Sequence, residues 1–149
     1  MVLKVTFRKN PNFNPNRVLK EGVVRVGFFE GSKYDDDTYV AQVARWNEYG
    51  IGVPARPFMR PAVFEKKQEY TELLRSEYKK AIKDNQSTIN VLKAVGEKAV
   101  AGIQSQIWGG HYLPNSPATI KRKGKNKPLI DTELMVNSVS YQVEEVFVK

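Results

Sequence analysis

Two stretches decide how this chain folds: Val23-Val24-Arg25-Val26-Gly27-Phe28-Phe29 and, far downstream, Ser138-Val139-Ser140-Tyr141-Gln142-Val143. In the first, Val24, Val26 and Phe28 fall on one side while Arg25 and Gly27 dilute the other. In the second, Val139, Tyr141 and Val143 alternate with Ser138, Ser140 and Gln142. Period-two alternation marks half-buried strands. The C-terminal strand has no other strand near it in sequence, so it must return to an N-terminal one, and antiparallel pairing between residues 23–29 and 137–144 is expected. Toward Val146 and Val148 its parity slips, which fits a bulge or a frayed tail. Leu3, Val5 and Phe7 alternate with Lys4 and Thr6 as a further short strand, and Asn10 to Asn16, with Pro11 and Pro15, has no period and reads as a connector.

Between the strands the period changes to helical. Tyr39, Val43 and Trp46 repeat at helical spacing, with Gly50 as a left-handed stop. Asp35, Asp36 and Asp37 precede this short helix, where carboxylates would cap free N–H groups at the positive end of the dipole. A metal site is the sharper reading of that run, but three adjacent carboxylates do not converge without a looped scaffold. Ile51 to Pro61 holds Pro54, Pro57 and Pro61 and reads as a rigid extended connector. Pro61 suits the first turn of a helix running to about Lys83, with Val63, Tyr70, Leu74 and Ala81 on one face. Ser87 or Thr88 caps another, with Ile89, Leu92, Ala99, Ile103 and Ile107 in register and Gly109 and Gly110 at its end. Residues 111–133 read as a long, basic, proline-bearing loop, longer than structureless loops commonly run. The expected architecture is α+β: a small antiparallel sheet packed against two long helices and one short helix, with the long basic loop before the C-terminal strand. At 149 residues one domain is expected, with 1–20 as an N-terminal extension or extra strand and 111–133 as an interaction loop.

Composition excludes several chemistries. With no cysteine and one histidine, a disulfide framework, a thiolate metal cage and a cysteine nucleophile are ruled out, and a histidine-rich zinc site or a serine triad is disfavoured. The N-terminus breaks into charge too early for a signal-peptide core, and no apolar run approaches a membrane span; a soluble chain made in a cytoplasm is expected. Gly124-Lys125 and Gly50-Ile51-Gly52 lack the remaining residues of a phosphate cradle. Glu65, Glu69 and Glu72 share a helix face with lysines beside them and read as a solvated charged face, and His111 reads as a loop residue. No catalytic, cofactor or metal constellation is expected, and the chain is read as not an enzyme.

The formal net charge is +8, and Lys121, Arg122, Lys123, Lys125 and Lys127 cluster without an intervening acid. Three readings stand: a solvated loop, contact with nucleic acid through phosphate, or contact with an acidic protein surface. Trp46, Tyr49, Phe58 and Met59 are large residues on proline-stiffened backbone. They read either as anchors of an interface or as locks that hold the first helix onto the core.

Trp46-Asn47-Glu48-Tyr49-Gly50, followed by Pro54-Ala55-Arg56-Pro57-Phe58 and Pro61, resembles a stretch of the tail-completion or neck proteins of long-tailed bacteriophages. A second block agrees, with Pro114, Ser116, Pro117, Thr119, Ile120, Lys123, Gly124, Lys127, Pro128, Leu129, Ile130, Asp131, Thr132 and Leu134 similar to that family's downstream loop and Ser138 to Tyr141 to its closing strand. The resemblance covers roughly residues 22 to 145 and departs at Glu133, where the family often carries glycine at a turn. It implies a structural virion protein, made in the host cytoplasm and placed at the head-tail junction. Its copies would form a ring, a hexamer in comparable proteins, between the connector or head-completion protein and the tail-terminator or tail-tube protein, with genomic DNA passing the lumen and no membrane contact. Trp46, Glu48, Tyr49, Arg56, Phe58, Leu129, Ile130 and Asp131 are then the expected subunit and partner contacts. Arg56→Glu is expected to impair assembly while leaving the monomer helical. The alternative function is a basic nucleic-acid-binding module using the 121–127 loop.

Overall fold

A computed structural model describes residues 2–5, 21–84 and 86–146. Three strands, β1 (Val2–Val5), β2 (Glu21–Phe28) and β3 (Val139–Val146), form one antiparallel sheet in the order β1-β2-β3. The expected long-range pairing is present: Val24 faces Val143, Val26 faces Tyr141 and Phe28 faces Val139. The ladder continues one-to-one to Glu21 and Val146, so there is no bulge where the hydrophobic parity slips. Phe7, the 10–16 connector and Val148 lie outside the described residues.

The helices are α1 (Val40–Tyr49), α2 (Met59–Glu65), α3 (Lys67–Lys83), α4 (Thr88–Gly109), α5 (Pro117–Lys123) and α6 (Leu134–Asn137). The α+β architecture is as expected, with α4 as its spine. Ser87 Oγ accepts from Ile89 N–H at the start of α4, and Val91, Leu92, Val95, Ala99, Ile103 and Ile107 are buried along it. Each valine, leucine and isoleucine among them contributes roughly 1.5–3 kcal/mol when fully buried. Gly96 lets α4 approach the sheet: a Cβ there would lie 2.5 Å from Tyr141 Cδ2 and 3.1 Å from Val24 Cγ2. Gly96→Val is therefore expected to destabilise by about 3 kcal/mol or more through overpacking, read as a fall in the urea midpoint.

Three local expectations are corrected. The stretch from Pro61 to Lys83 is two helices, broken at Lys66 (φ −102°, ψ 7°); Pro61 does stand in the first turn of α2, and Tyr70 and Ala81 are buried on the expected face. The inner face of α1 is Val40, Ala44 and Glu48, while Tyr39 is 47% exposed, because the helix turns to bring the Glu48 carboxylate inside. The aspartates do not cap it: its first turn contains no acid and its N-cap is Tyr39. Asp36 instead accepts from Thr38 N–H at 3.1 Å, and Asp37 adopts φ 62°, forming a separate turn upstream. Gly50 does end α1 in the left-handed region, at φ 71°.

The 111–133 loop is also not structureless. Ser116 Oγ accepts from Thr119 N–H at 3.2 Å, Pro117 occupies the first turn, and Gly124 closes α5 at φ 70°. Serine, proline and glycine at these places are sufficient punctuation for a short helix. At Glu133, where the resembling family often carries glycine, φ is 65°. The turn persists with a side chain that strains it, so Glu133→Gly is expected to raise stability by up to about 1 kcal/mol in thermal melts.

Candidate functional site

Two segments distant in sequence meet beside α1. Glu48, in the last turn of α1, is 3% exposed, yet it is not an isolated charge. Its Oε2 accepts from the N–H groups of Phe58 (2.7 Å) and Met59 (2.9 Å), and its Oε1 from Arg60 N–H (3.1 Å) and Arg60 Nε (2.9 Å). Arg60 Nη2 returns to the Glu48 carbonyl at 2.9 Å. The carboxylate thus caps the open N-terminus of α2, which has no side-chain cap of its own, where negative charge also meets the positive end of the dipole. Burial pushes this carboxyl upward, but the backbone donors of Met59, Phe58 and Arg60 and the Arg60 side chain together outweigh it and leave it below its ordinary value. Glu48 is ionised and saturated with donors, which is the condition of a structural latch rather than of an acid poised to exchange protons.

Arg56 completes the junction. Its N–H donates to Asn47 O at 2.7 Å, its Nε to Leu113 O at 3.0 Å and its Nη2 to Pro114 O at 3.2 Å. The guanidinium fork ties the proline connector to the segment after α4. Phe58, fully buried, meets Phe28 of β2 edge-on with ring centroids 6.0 Å apart.

Most of the clustered cations have partners within the chain. Lys123 Nζ donates to Ile130 O at 2.7 Å, and Lys125 Nζ to Asp131 O at 2.8 Å. Lys127 Nζ sits 4.0 Å from the centre of the Trp108 ring. Lys121 and Arg122 are exposed on the last turn of α5, where positive charge suits the helix C-terminus. Instead of one basic arm, the fold makes three internal ties and a small exposed basic patch.

A cleft of about 580 Å³ opens between α1, the connector, α5 and residues 129–135. Val43, Trp46, Val53, Leu129 and Met135 supply its apolar lining. Arg56, Arg122 and Lys123 line it as cations, and Asp35, Asp36 and Asp131 as acids. Asn115 also lines it, with its Nδ2 buried and unpaired in the structure.

The structure therefore divides the expected contact residues. Glu48, Arg56, Phe58 and Ile130 are buried within the chain and are corrected from partner contacts to internal fastenings. Trp46, Leu129 and Asp131 line the cleft. Tyr49, 61% exposed, carries Arg60 over its ring at 5.1 Å. Sequence reasoning missed Arg60 and Asn115. Arg60 follows Arg56 at helical spacing in a proline-framed stretch, a usable clue, whereas Asn115 between Pro114 and Ser116 gives none. Among the described residues, no group of three or more His, Asp or Glu side chains is placed to hold a metal ion, and no helix is long and apolar enough to cross a membrane. The chain matches no family model, no curated protein and no solved structure.

Proposed function

We propose that this protein is a structural component of the head-tail junction of a bacteriophage, a non-enzymatic neck or tail-completion subunit that associates with its own copies as a ring between connector and tail. The observation that carries the reading is that the two blocks on which the family resemblance rests interlock. The Trp46–Pro61 block, through Trp46, Asn47, Pro54 and Arg56, and the Pro114–Leu134 block, through Ser116, Thr119, Lys123, Leu129, Asp131 and Thr132, line one cleft, and Arg56 bridges them by donating to the carbonyls of Leu113 and Pro114. Their polar groups hold backbone, which is what a scaffold presenting rigid surfaces to neighbours requires.

Cryo-EM of the assembled particle tests this: density for the chain is expected where the connector meets the tail, and its absence from virions overturns the reading. The alternative, a nucleic-acid-binding module, has exposed Lys121 and Arg122 in its favour. A gel-shift titration at two salt concentrations separates them, because phosphate-driven binding through several cations must weaken steeply with salt. For a junction subunit we expect weak binding, with Lys121→Glu removing most of what there is.

A further inference from the structure

Phe64, at 83%, is the most exposed large apolar side chain among the described residues. It stands near the end of α2, between exposed Arg60 one turn earlier and exposed Glu65 and Lys67. A single exposed apolar residue needs no explanation on its own. This one has a matching receptor elsewhere on the same molecule. The cleft between α1 and α5 has an apolar lining in Trp46, Val53, Leu129 and Met135, with Arg122 contributed by α5 and Asp35 and Asp36 by the segment before α1. Its volume of about 580 Å³ falls in the range of roughly 300–1,000 Å³ common for ligand-receiving clefts.

We propose that Phe64 of one copy inserts into this cleft on a second copy, with Glu65 set against Arg122 and Lys67 against Asp35 and Asp36. The inference rests on the self-association reading above and names the surfaces that would make it. A chain cannot fill its own cleft, because Phe64 is carried on α2, which packs on α4, and no residue of α2 lines the cleft. Knob and receptor are different patches, so the contact is heterologous: each bound copy presents a new knob and a new cleft, and the series closes as a ring or continues as a filament. Charge fixes the orientation. Glu65 and Lys67, which both follow Phe64, meet Arg122 and the two aspartates in one insertion, whereas the reverse sets Glu65 against Asp35 and Asp36 and Lys67 against Arg122.

Sedimentation of the full chain over a concentration series tests the proposal. Phe64→Ser is expected to weaken association at least about 30-fold, as for a buried aromatic anchor, with an unchanged melting curve because the site is exposed. Glu65→Arg and Arg122→Glu should each weaken association, and the chain carrying both should recover it, since every interface then regains an opposite pair. Val53→Arg blocks the cleft but leaves the knob. An equimolar mixture of Phe64→Ser and Val53→Arg chains is therefore expected to stop at a one-to-one dimer. Assembly of the Phe64→Ser chain at wild-type strength overturns this contact while leaving ring formation to another surface. A wild-type chain that stays monomeric at about 1 mM, where even weak contacts of this kind register, overturns it too, and membership of the junction is then decided by particle composition.

Discussion

Glu48→Ala is expected to cost about 3–5 kcal/mol of folding stability, the scale of leaving several buried or half-buried backbone donors without an acceptor at once. Against a total of roughly 5–15 kcal/mol for an ordinary domain, that is enough to unfold a marginal chain. The loss does not come from the charge pair alone. Alanine leaves the N–H groups of Phe58, Met59 and Arg60 and the Arg60 Nε without their acceptor, so α2 starts uncapped against the core. Glu48→Gln, which keeps one carbonyl oxygen but turns an N–H₂ toward the donors, is expected to fall between wild type and alanine.

The same carboxylate gives stability a pH signature. Its folded-state pKa lies below its ordinary value, so the unfolded chain takes up the proton first. The contribution is complete above the usual glutamate pKa of about 4.3 and is lost as pH falls through the lower folded value. Urea melts from pH 7 to pH 3 should show wild type losing stability on acidification more steeply than Glu48→Ala. A difference between the two below about 1 kcal/mol at pH 7, the size of one ordinary hydrogen bond, would show that this latch does not hold α2.

Arg56→Glu is expected to be at least as damaging, about 4 kcal/mol or more, because it replaces a buried two-point donor with a carboxylate facing the carbonyl oxygens of Leu113 and Pro114. Arg56 is 8% exposed, and the new charge would have no donor in reach among the contacts Arg56 now makes. The sequence-based expectation of a helical monomer that merely fails to assemble is thereby revised: the segment from Leu113 to Asn115 should detach first and become open to proteolysis, followed by loss of the fold at modest urea. Arg56→Lys keeps the charge but not the fork, and should cost about 1–2 kcal/mol. Wild-type melting of the Arg56→Glu chain would remove Arg56 from the account of the junction.

The two strands and α4 were legible because a repeating apolar pattern reports burial directly. Val24, Val26 and Phe28 and their partners Val143, Tyr141 and Val139 alternate in sequence as they do in the ladder. The stop at Gly50 was legible for the same local reason, since a left-handed terminus favours glycine. The orientation of α1 was not. Tyr39, Val43 and Trp46 form a respectable helical stripe, but Val40, Ala44 and Glu48 take the inside, because a carboxylate that meets three backbone donors and a guanidinium is cheaper to bury than its charge suggests. No periodicity can anticipate that, as the donors lie beyond a proline connector. The basic cluster was misread as one loop for a related reason: Lys123, Lys125 and Lys127 find the Ile130 carbonyl, the Asp131 carbonyl and the Trp108 ring, partners that composition does not reveal.

By itself, then, the sequence determined the class of fold, the antiparallel return of the last strand to β2, and the residues on which the family resemblance rests. Those are consequences of hydrophobic period, of glycine and proline at chain reversals, and of residue identity, all local. Which polar side chains face inward, and where the cleft opens between α1 and α5, was decided only by tertiary structure. A buried charge is stable or ruinous according to the donors and acceptors around it, and these are assembled from parts of the chain that local pattern cannot connect.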